Sequence, residues 1–507
     1  MSTLSITSKN CSLDYFAPCL NGPIKVRLDS DSRKSIQKSH KIFLELLNNG
    51  KKIYGVTTGF GDLSSITIDT NDQKKLQLNL IRSHATGVGK SFDSGVTRVI
   101  MLLKLLNWSK GVSGVRIELV LLLQDLLNHD ILPVIPRQGS VGASGDLAPL
   151  AHMALPLIGE GLVNFQDRIM PAMLAMKEVG LEPIILEPKE GLSLINGTQV
   201  STAIAIKACL DAENILKVAD LSGAISVESS LSSRSVFKSE IHKLKNHSGQ
   251  RIVAANIWKL LDKSEIVLSH KNCDRMQDPY SFRCIPQVHG ISRENYKCAK
   301  KIVENEANSV SDNPLIMPNQ KILNSGHFHA ESIAQAMDNL AIAISEIGSI
   351  SERRVHYFMK GVGDRVPPFI ASNPGLESGF MTAHVTAASL VSENKVLTHP
   401  ASVDTIPTSG GQEDFVSMAP WAGRKCLRVI DNVRNILSIE LLASTTINEL
   451  FHAPLKMANA FLPVLKLLKK HVHYSRTDRP LHSDIKLVND LIKSNQIIKC
   501  VKKYNID

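Results

Sequence analysis

A mostly α-helical protein, organised around a bundle of long helices, is what this 507-residue sequence predicts. Three observations carry that expectation. No proline occurs between Lys189 and Asp278, or between Asn319 and Val366, and proline-free runs rich in Ala, Leu, Ile, Glu and Lys favour long helices. Within the second run, Ile333, Met337, Leu340, Ile344 and Ile347 recur at alternating steps of four and three, the heptad seam of helices lying side by side in a bundle. Alternation of short apolar strands with helical patterns is lacking, which argues against a doubly wound α/β sheet.

Taken in order, residues 1–190 mix short helices with glycine-rich turns at 54–62, 86–90 and 139–146. This stretch reads as a smaller mixed region that carries a functional site. Residues 99–106 and 119–127 are leucine-rich, but Lys104 interrupts the first, and Gln124 with Asp125 the second, so neither is a membrane span. Leu147, Leu150, Ala154 and Leu157 follow helical spacing, with Pro149 in the first turn where its missing N–H costs nothing. Residues 191–507 read as the central helical bundle and the C-terminal helices. There, 201–221 is apolar on more than one face (Ile204, Ile206, Leu210, Ile215, Leu216, Val218), as expected of a helix buried on several sides. A second seam runs through Ile430, Val433, Leu437 and Leu441.

The net charge of +10 raises nucleic acid as a partner. Much of that charge lies in the tail, at positions such as Lys466, Lys470, Lys486 and Lys503, spread among leucines and isoleucines as on a solvated helix face. Aromatic residues make up only 5%, too few for base-stacking platforms, so no nucleic-acid partner is expected. Eight cysteines are scattered without a C-x-x-C pair, and they read as reduced thiols. His327-x-His329 and His471-x-His473 lack the spacing and acidic companion of a helical zinc site, so no metal is expected. The N-terminus has no secretory pattern, and the expected location is the cytoplasm, with no membrane association.

The chemistry concentrates in Gly139-Ser140-Val141-Gly142-Ala143-Ser144-Gly145-Asp146-Leu147-Ala148-Pro149-Leu150. Gly145 offers an unhindered amide nitrogen, Ala143 a carbonyl beside a mere methyl, and Ser144 a hydroxyl that can leave as water. The surrounding glycines permit the backbone angles that ring closure needs. Cyclisation and dehydration would yield a methylidene-imidazolone, whose electron-poor exocyclic carbon no side chain supplies. Ser144 or Asp146 also has the chemistry to cap the helix that follows. A hydrolase nucleophile elbow fits badly, because Asp146 stands where that motif needs glycine. A helix starting at Leu147 would turn its N–H groups towards the ring and favour negative charge there.

The whole segment resembles the signature of the aromatic amino acid ammonia-lyase family, and six further segments extend the resemblance from about Tyr54 to the tail. Tyr54-Gly55-Val56-Thr57-Thr58-Gly59 resembles the loop bearing the base that removes a β-proton, with Thr57 where the family usually has Asn. Ser83-His84-Ala85-Thr86-Gly87 resembles the selectivity segment, and His84 is what the histidine branch and many tyrosine enzymes carry. Asn196-Gly197-Thr198 matches the Asn-Gly-Thr segment. Gln277-Asp278-Pro279-Tyr280-Ser281-Phe282-Arg283-Cys284 contains Arg283, a planar fork suited to a carboxylate, one turn after Tyr280. Phe328 lies in the family's G-N-F-H-x-E, with His327 in place of Asn. Finally, Pro407-Thr408-Ser409-Gly410-Gly411-Gln412-Glu413-Asp414-Phe415 resembles the histidine branch, although Phe415 replaces a histidine and Gly410-Gly411 replaces Ala-Asn.

The resemblance implies elimination of ammonia from L-histidine to give trans-urocanate. It also implies a 4-methylidene-imidazol-5-one formed autocatalytically from Ala143, Ser144 and Gly145, with no external cofactor. Tyr54 would be the base, assisted or replaced by Tyr280; Arg283 would hold the carboxylate; His84 and Glu413 would meet the imidazole; Asn196, Gln277 and Phe328 would shape the pocket. Family members are homotetramers with active sites shared between subunits. A tyrosine or phenylalanine ammonia-lyase, or an aminomutase using the same group, is the nearer alternative, and an inactive helical scaffold the more distant one.

Overall fold

Long helices dominate the computed structural model, which describes residues 3–271 and 275–506. The longest are Gln199–Ser229, Ile285–Ala307, Glu331–Phe358 and Ala419–Leu450. The helical-bundle expectation is met in detail. All five seam residues from Ile333 to Ile347 have no exposed surface, and Ile430, Val433, Leu437 and Leu441 are equally buried. Each such side chain contributes about 1.5–3 kcal/mol through burial. Along Gln199–Ser229 apolar residues are buried all round, with Leu210 alone of the predicted set half-exposed.

The chain groups into two units; four of its five crossings between them fall within those helices, and the fifth falls between His399 and Pro400. The first comprises Met1–Lys207, Lys300–Asp338 and Pro400–Arg424. It holds four small sheets: Thr3–Ile6 parallel to Lys25–Leu28, Val88–Ser91 antiparallel to Pro136–Gln138, Leu315–Ile316 antiparallel to Ile322–Leu323, and a three-stranded antiparallel sheet in the order Leu132–Pro133, Leu162–Phe165, Arg168–Pro171. Its central helix is Ser94–Ser109, started by the Asp93 carboxylate, which accepts from the Val96 amide at 2.9 Å. Every residue of that helix from Gly95 onward is buried, Lys104 included.

The second unit comprises Ala208–Ala299, Asn339–His399 and Lys425–Asp507, and its described elements are helical. Its interior contains a fully buried ion pair, Arg354 with Glu440, whose carboxylate also accepts from the Ser226 hydroxyl at 2.6 Å. Buried charges persist only when matched and hydrogen-bonded in this way. Among the described residues no helix is long and apolar enough to cross a membrane.

Candidate active site

The Ala-Ser-Gly triplet enters the helix Leu147–Ala154, and the start of that helix differs from a simple capped end. Asp146 occupies the N-cap position, yet neither it nor Ser144 caps the helix. The fully buried Asp146 carboxylate accepts from the Ser201 amide at 2.7 Å and the Ser201 hydroxyl at 2.8 Å. Burial pushes its pKa up to about 6, outweighing those hydrogen bonds. Ser144 donates to Glu413 Oε1 at 2.6 Å.

Gly145 must be glycine for two reasons. Its φ of +80° suits a residue without Cβ, and a Cβ there would lie 2.1 Å from the Gly197 carbonyl oxygen. That same oxygen accepts from the Asp146 amide at 2.8 Å. Behind Gly197, Lys104 Nζ donates to the carbonyls of Asn196 at 2.8 Å and Ser193 at 3.0 Å. With no exposed surface, the Lys104 amine is pushed down to about 7 by burial. On the other flank, the Met418 amide donates to Val141 at 2.8 Å and the Ser417 hydroxyl to Gly142 at 3.0 Å. The triplet is thus pinned through its main chain from both sides.

Asn196 donates through Nδ2 to the Asn313 carbonyl at 2.8 Å, which leaves its buried Oδ1 without a partner. Glu413 is held more completely. Thr408 and Glu413 form an antiparallel bridge, and the hydroxyls of Thr408 and Ser409 donate to Oε2 at 2.7 and 2.8 Å. Between them, Gly410 and Gly411 take φ of +67° and +91°, so the departure from Ala-Asn places glycines where left-handed backbone occurs. Burial pushes the Glu413 pKa up, but the hydroxyls of Ser144, Thr408 and Ser409, with His84, outweigh it and hold it below its ordinary value.

His84 closes the helix Gln73–His84, with Nδ1 2.9 Å from the Leu80 carbonyl. That geometry puts the proton on Nδ1 and leaves Nε2 as the acceptor of the neutral ring. Burial lowers its pKa, partly opposed by the Leu80 carbonyl and Glu413. The following loop is anchored where the Gly87 amide donates to His152 Nε2 at 3.0 Å. Tyr54 accepts on its phenolic oxygen from the Gly61 amide at 2.9 Å, its ring edge-on to Phe60. Thr57, the departure in this loop, closes the turn by accepting from the Ile53 amide at 2.8 Å.

Tyr54, His84, Ala143, Ser144, Asn196, Phe328 and Glu413 line one cavity of about 1010 Å³ within the first unit. Phe415 and His329 line it too, their rings stacked 6.1 Å apart. His327 is exposed and is not among the lining residues. Gln277, Tyr280 and Arg283 belong to the second unit. There Arg283 lies over the Tyr280 ring at 4.5 Å; Tyr280 is 70% exposed, Gln277 is exposed, and the buried Arg283 Nε has no partner. Sequence reasoning missed Lys104, Asn313 and the His329–Phe415 stack. Only Lys104 left a signal, as a charge inside an otherwise apolar helix.

The chain matches the aromatic amino acid lyase family over residues 12–470. It is 46% identical to the histidine ammonia-lyase of Yersinia enterocolitica over 93% of both chains, and 44% identical to that of Myxococcus xanthus over 94% of both. Among solved structures, the histidine ammonia-lyase of Trypanosoma cruzi superposes with a TM-score of 0.91 at 36% identity, covering 99% of this chain and 95% of that one. The tyrosine aminomutase of Streptomyces globisporus gives 0.93 at 32% identity, covering 100% and 99%. With the family's pattern matched over residues 12–470 and relatives of 44–46% identity along almost the whole chain, the chain belongs to the aromatic amino acid lyase family.

Proposed function

We propose that this chain is a histidine ammonia-lyase, eliminating ammonia from L-histidine to give trans-urocanate. One observation carries the choice of substrate: Glu413 touches Ser144 at 2.6 Å in a cavity that also contains the His84 imidazole. An ionised carboxylate beside a neutral imidazole suits a substrate whose ring can both donate and accept.

The triplet suits a self-made 4-methylidene-imidazol-5-one. Gly145 packs against Gly197 too closely for any side chain, and the buried Asn196 Oδ1 is an acceptor still lacking a donor. Ala143, Ser144 and Gly145 would carry the group, which supplies an electron-poor carbon able to take up an amine. The chain's own residues do the rest. Tyr54 removes the β-proton as the phenolate, and the Gly61 amide that donates to its oxygen at 2.9 Å stabilises that negative charge. Tyr280 assists. Arg283 grips the substrate carboxylate with its planar fork. His84 accepts from the substrate ring through Nε2, Glu413 meets the same ring, and Phe328 with Gln277 shapes the pocket. Holding the reacting atoms in place contributes about 7–11 kcal/mol to lowering the barrier.

The assembly in this reading is a homotetramer with shared sites, located in the cytoplasm. The exposure of Tyr280 and Gln277 and the unpartnered Nε of Arg283 support the sharing. A panel of histidine, tyrosine and phenylalanine, followed by ultraviolet absorbance of the unsaturated acid, tests the function. Histidine is expected to be turned over at least tenfold faster than the others. Preference for tyrosine would favour the alternative ammonia-lyase or aminomutase reading, which the apolar Phe415 ring in the cavity supports.

A further inference from the structure

Ser144 has to lose its oxygen before the triplet can become an electrophile, and the structure shows which group touches that oxygen. Glu413 Oε1 accepts from it at 2.6 Å, while Oε2 is fixed by Thr408 at 2.7 Å and Ser409 at 2.8 Å. The other carboxylate of the loop, Asp146, is occupied by Ser201.

We propose that Glu413 is the proton carrier for the dehydration of Ser144, so that one carboxylate serves first the maturation of the chain and afterwards the substrate. This rests on the reading that the triplet cyclises. The Gly145 nitrogen bonds to the Ala143 carbonyl carbon and passes its proton to that oxygen, which leaves as water with the Ser144 amide proton. The Ser144 Cα proton then passes to Glu413 as the Cα=Cβ bond forms and the Cβ–Oγ bond breaks. Glu413 returns the proton to the departing oxygen, which leaves with its own hydrogen as the second water. No oxidant or reductant is consumed, and the carboxylate is regenerated.

The environment of Glu413 suits both halves of the transfer. Hydroxyl donors keep it ionised at neutral pH and able to accept. Once protonated it is a stronger acid than a free carboxyl, as protonating a departing hydroxide requires. When Oγ leaves, Oε1 loses the one side-chain hydrogen bond it makes among the described residues, while Thr408 and Ser409 keep the carboxylate in place. The oxygen that handled the leaving group is then free to face the substrate ring.

The test is the rate at which newly made full-length chain loses the mass of two waters, followed by intact-mass spectrometry during cell-free translation. Wild type should show the deficit, and Glu413→Gln should lengthen the half-time by about tenfold or more, the value of one charge-assisted hydrogen bond. Glu413→Asp, which keeps the charge but withdraws from Oγ, should mature at an intermediate rate, and circular dichroism establishes that each variant is folded. If Glu413→Gln does not fold, Glu413→Asp alone decides. A folded variant of either kind that matures as fast as wild type overturns this role for Glu413. Absence of the deficit in wild type would instead overturn the proposed function, so the two failures are distinct.

Discussion

Replacing Lys104 with methionine should change how the protein's stability depends on pH. Lys104 has no exposed surface, and burial brings its amine from 10.5 to about 7. Between those values the unfolded chain holds a proton that the folded chain has released. Unfolding therefore takes up a proton, and stability rises with pH across the window. At about 1.4 kcal/mol per unit the whole span is worth about 5 kcal/mol, of which about 4 falls between pH 7 and 10. Methionine does not titrate, so Lys104→Met loses this rise. It also leaves the Ser193 and Asn196 carbonyls without their donor, at about 1–3 kcal/mol each. Near pH 7 the relief of the buried charge offsets that cost; at pH 10 nothing does. Urea unfolding of both proteins at one concentration and at pH 7, 8, 9 and 10 measures the gap, which should widen by about 4 kcal/mol. A gap equal at pH 7 and 10 would refute the reasoning, because the amine would then titrate alike in both states.

Other expectations follow from the same geometry. Ser144→Ala should abolish turnover and the two-water mass deficit while leaving the oligomer intact, as read by activity, intact mass and light scattering. Gly145→Ala should drive Gly197 away, costing about 2–5 kcal/mol from left-handed strain plus overpacking; an unfolding midpoint within experimental error of wild type would contradict that clash. Asp146→Asn should flatten acid-side stability. The folded carboxyl titrates near 6 against an ordinary 3.8, so the wild type loses about 3 kcal/mol as pH rises through that window and the variant does not. Because burial lowers the His84 pKa, protonation of this ring should cut activity only below its ordinary 6.5. His84→Leu should remove that acid limb and lower kcat/KM for histidine by about 10–100-fold, the worth of one good hydrogen bond to a substrate ring.

Much of the helical architecture was legible because helix packing leaves periodic marks. The seam from Ile333 to Ile347 needed only spacing and the absence of proline. The triplet and its companion motifs were legible because their chemistry demands particular residues in short order. What escaped were pairings between distant segments. Nothing local in Ser144 points to a carboxylate 269 residues away, nor in Asn196 to the Asn313 carbonyl. The grouping of Lys300–Asp338 and Pro400–Arg424 with the N-terminal part is likewise set by three-dimensional packing. Lys104 was visible as an interruption of an apolar run, yet its task became clear only when two carbonyls were found at its amine. Asp146, equally able to cap a helix, turned to Ser201 because its carboxylate is sealed from water and takes the stronger donors there.

The bond from the Gly87 amide to His152 gives the recognition end of the cavity an acidity threshold of its own. An imidazole nitrogen can receive that amide only while it carries no proton, and burial keeps the ring neutral down to lower pH than usual. Acidification past that point unfastens the segment just after His84, while the Met418 amide and Ser417 hydroxyl that hold Val141 and Gly142 contain nothing that titrates. Substrate affinity should therefore weaken before the electrophile itself is disturbed, and on acidification KM would move ahead of any loss of the modified peptide.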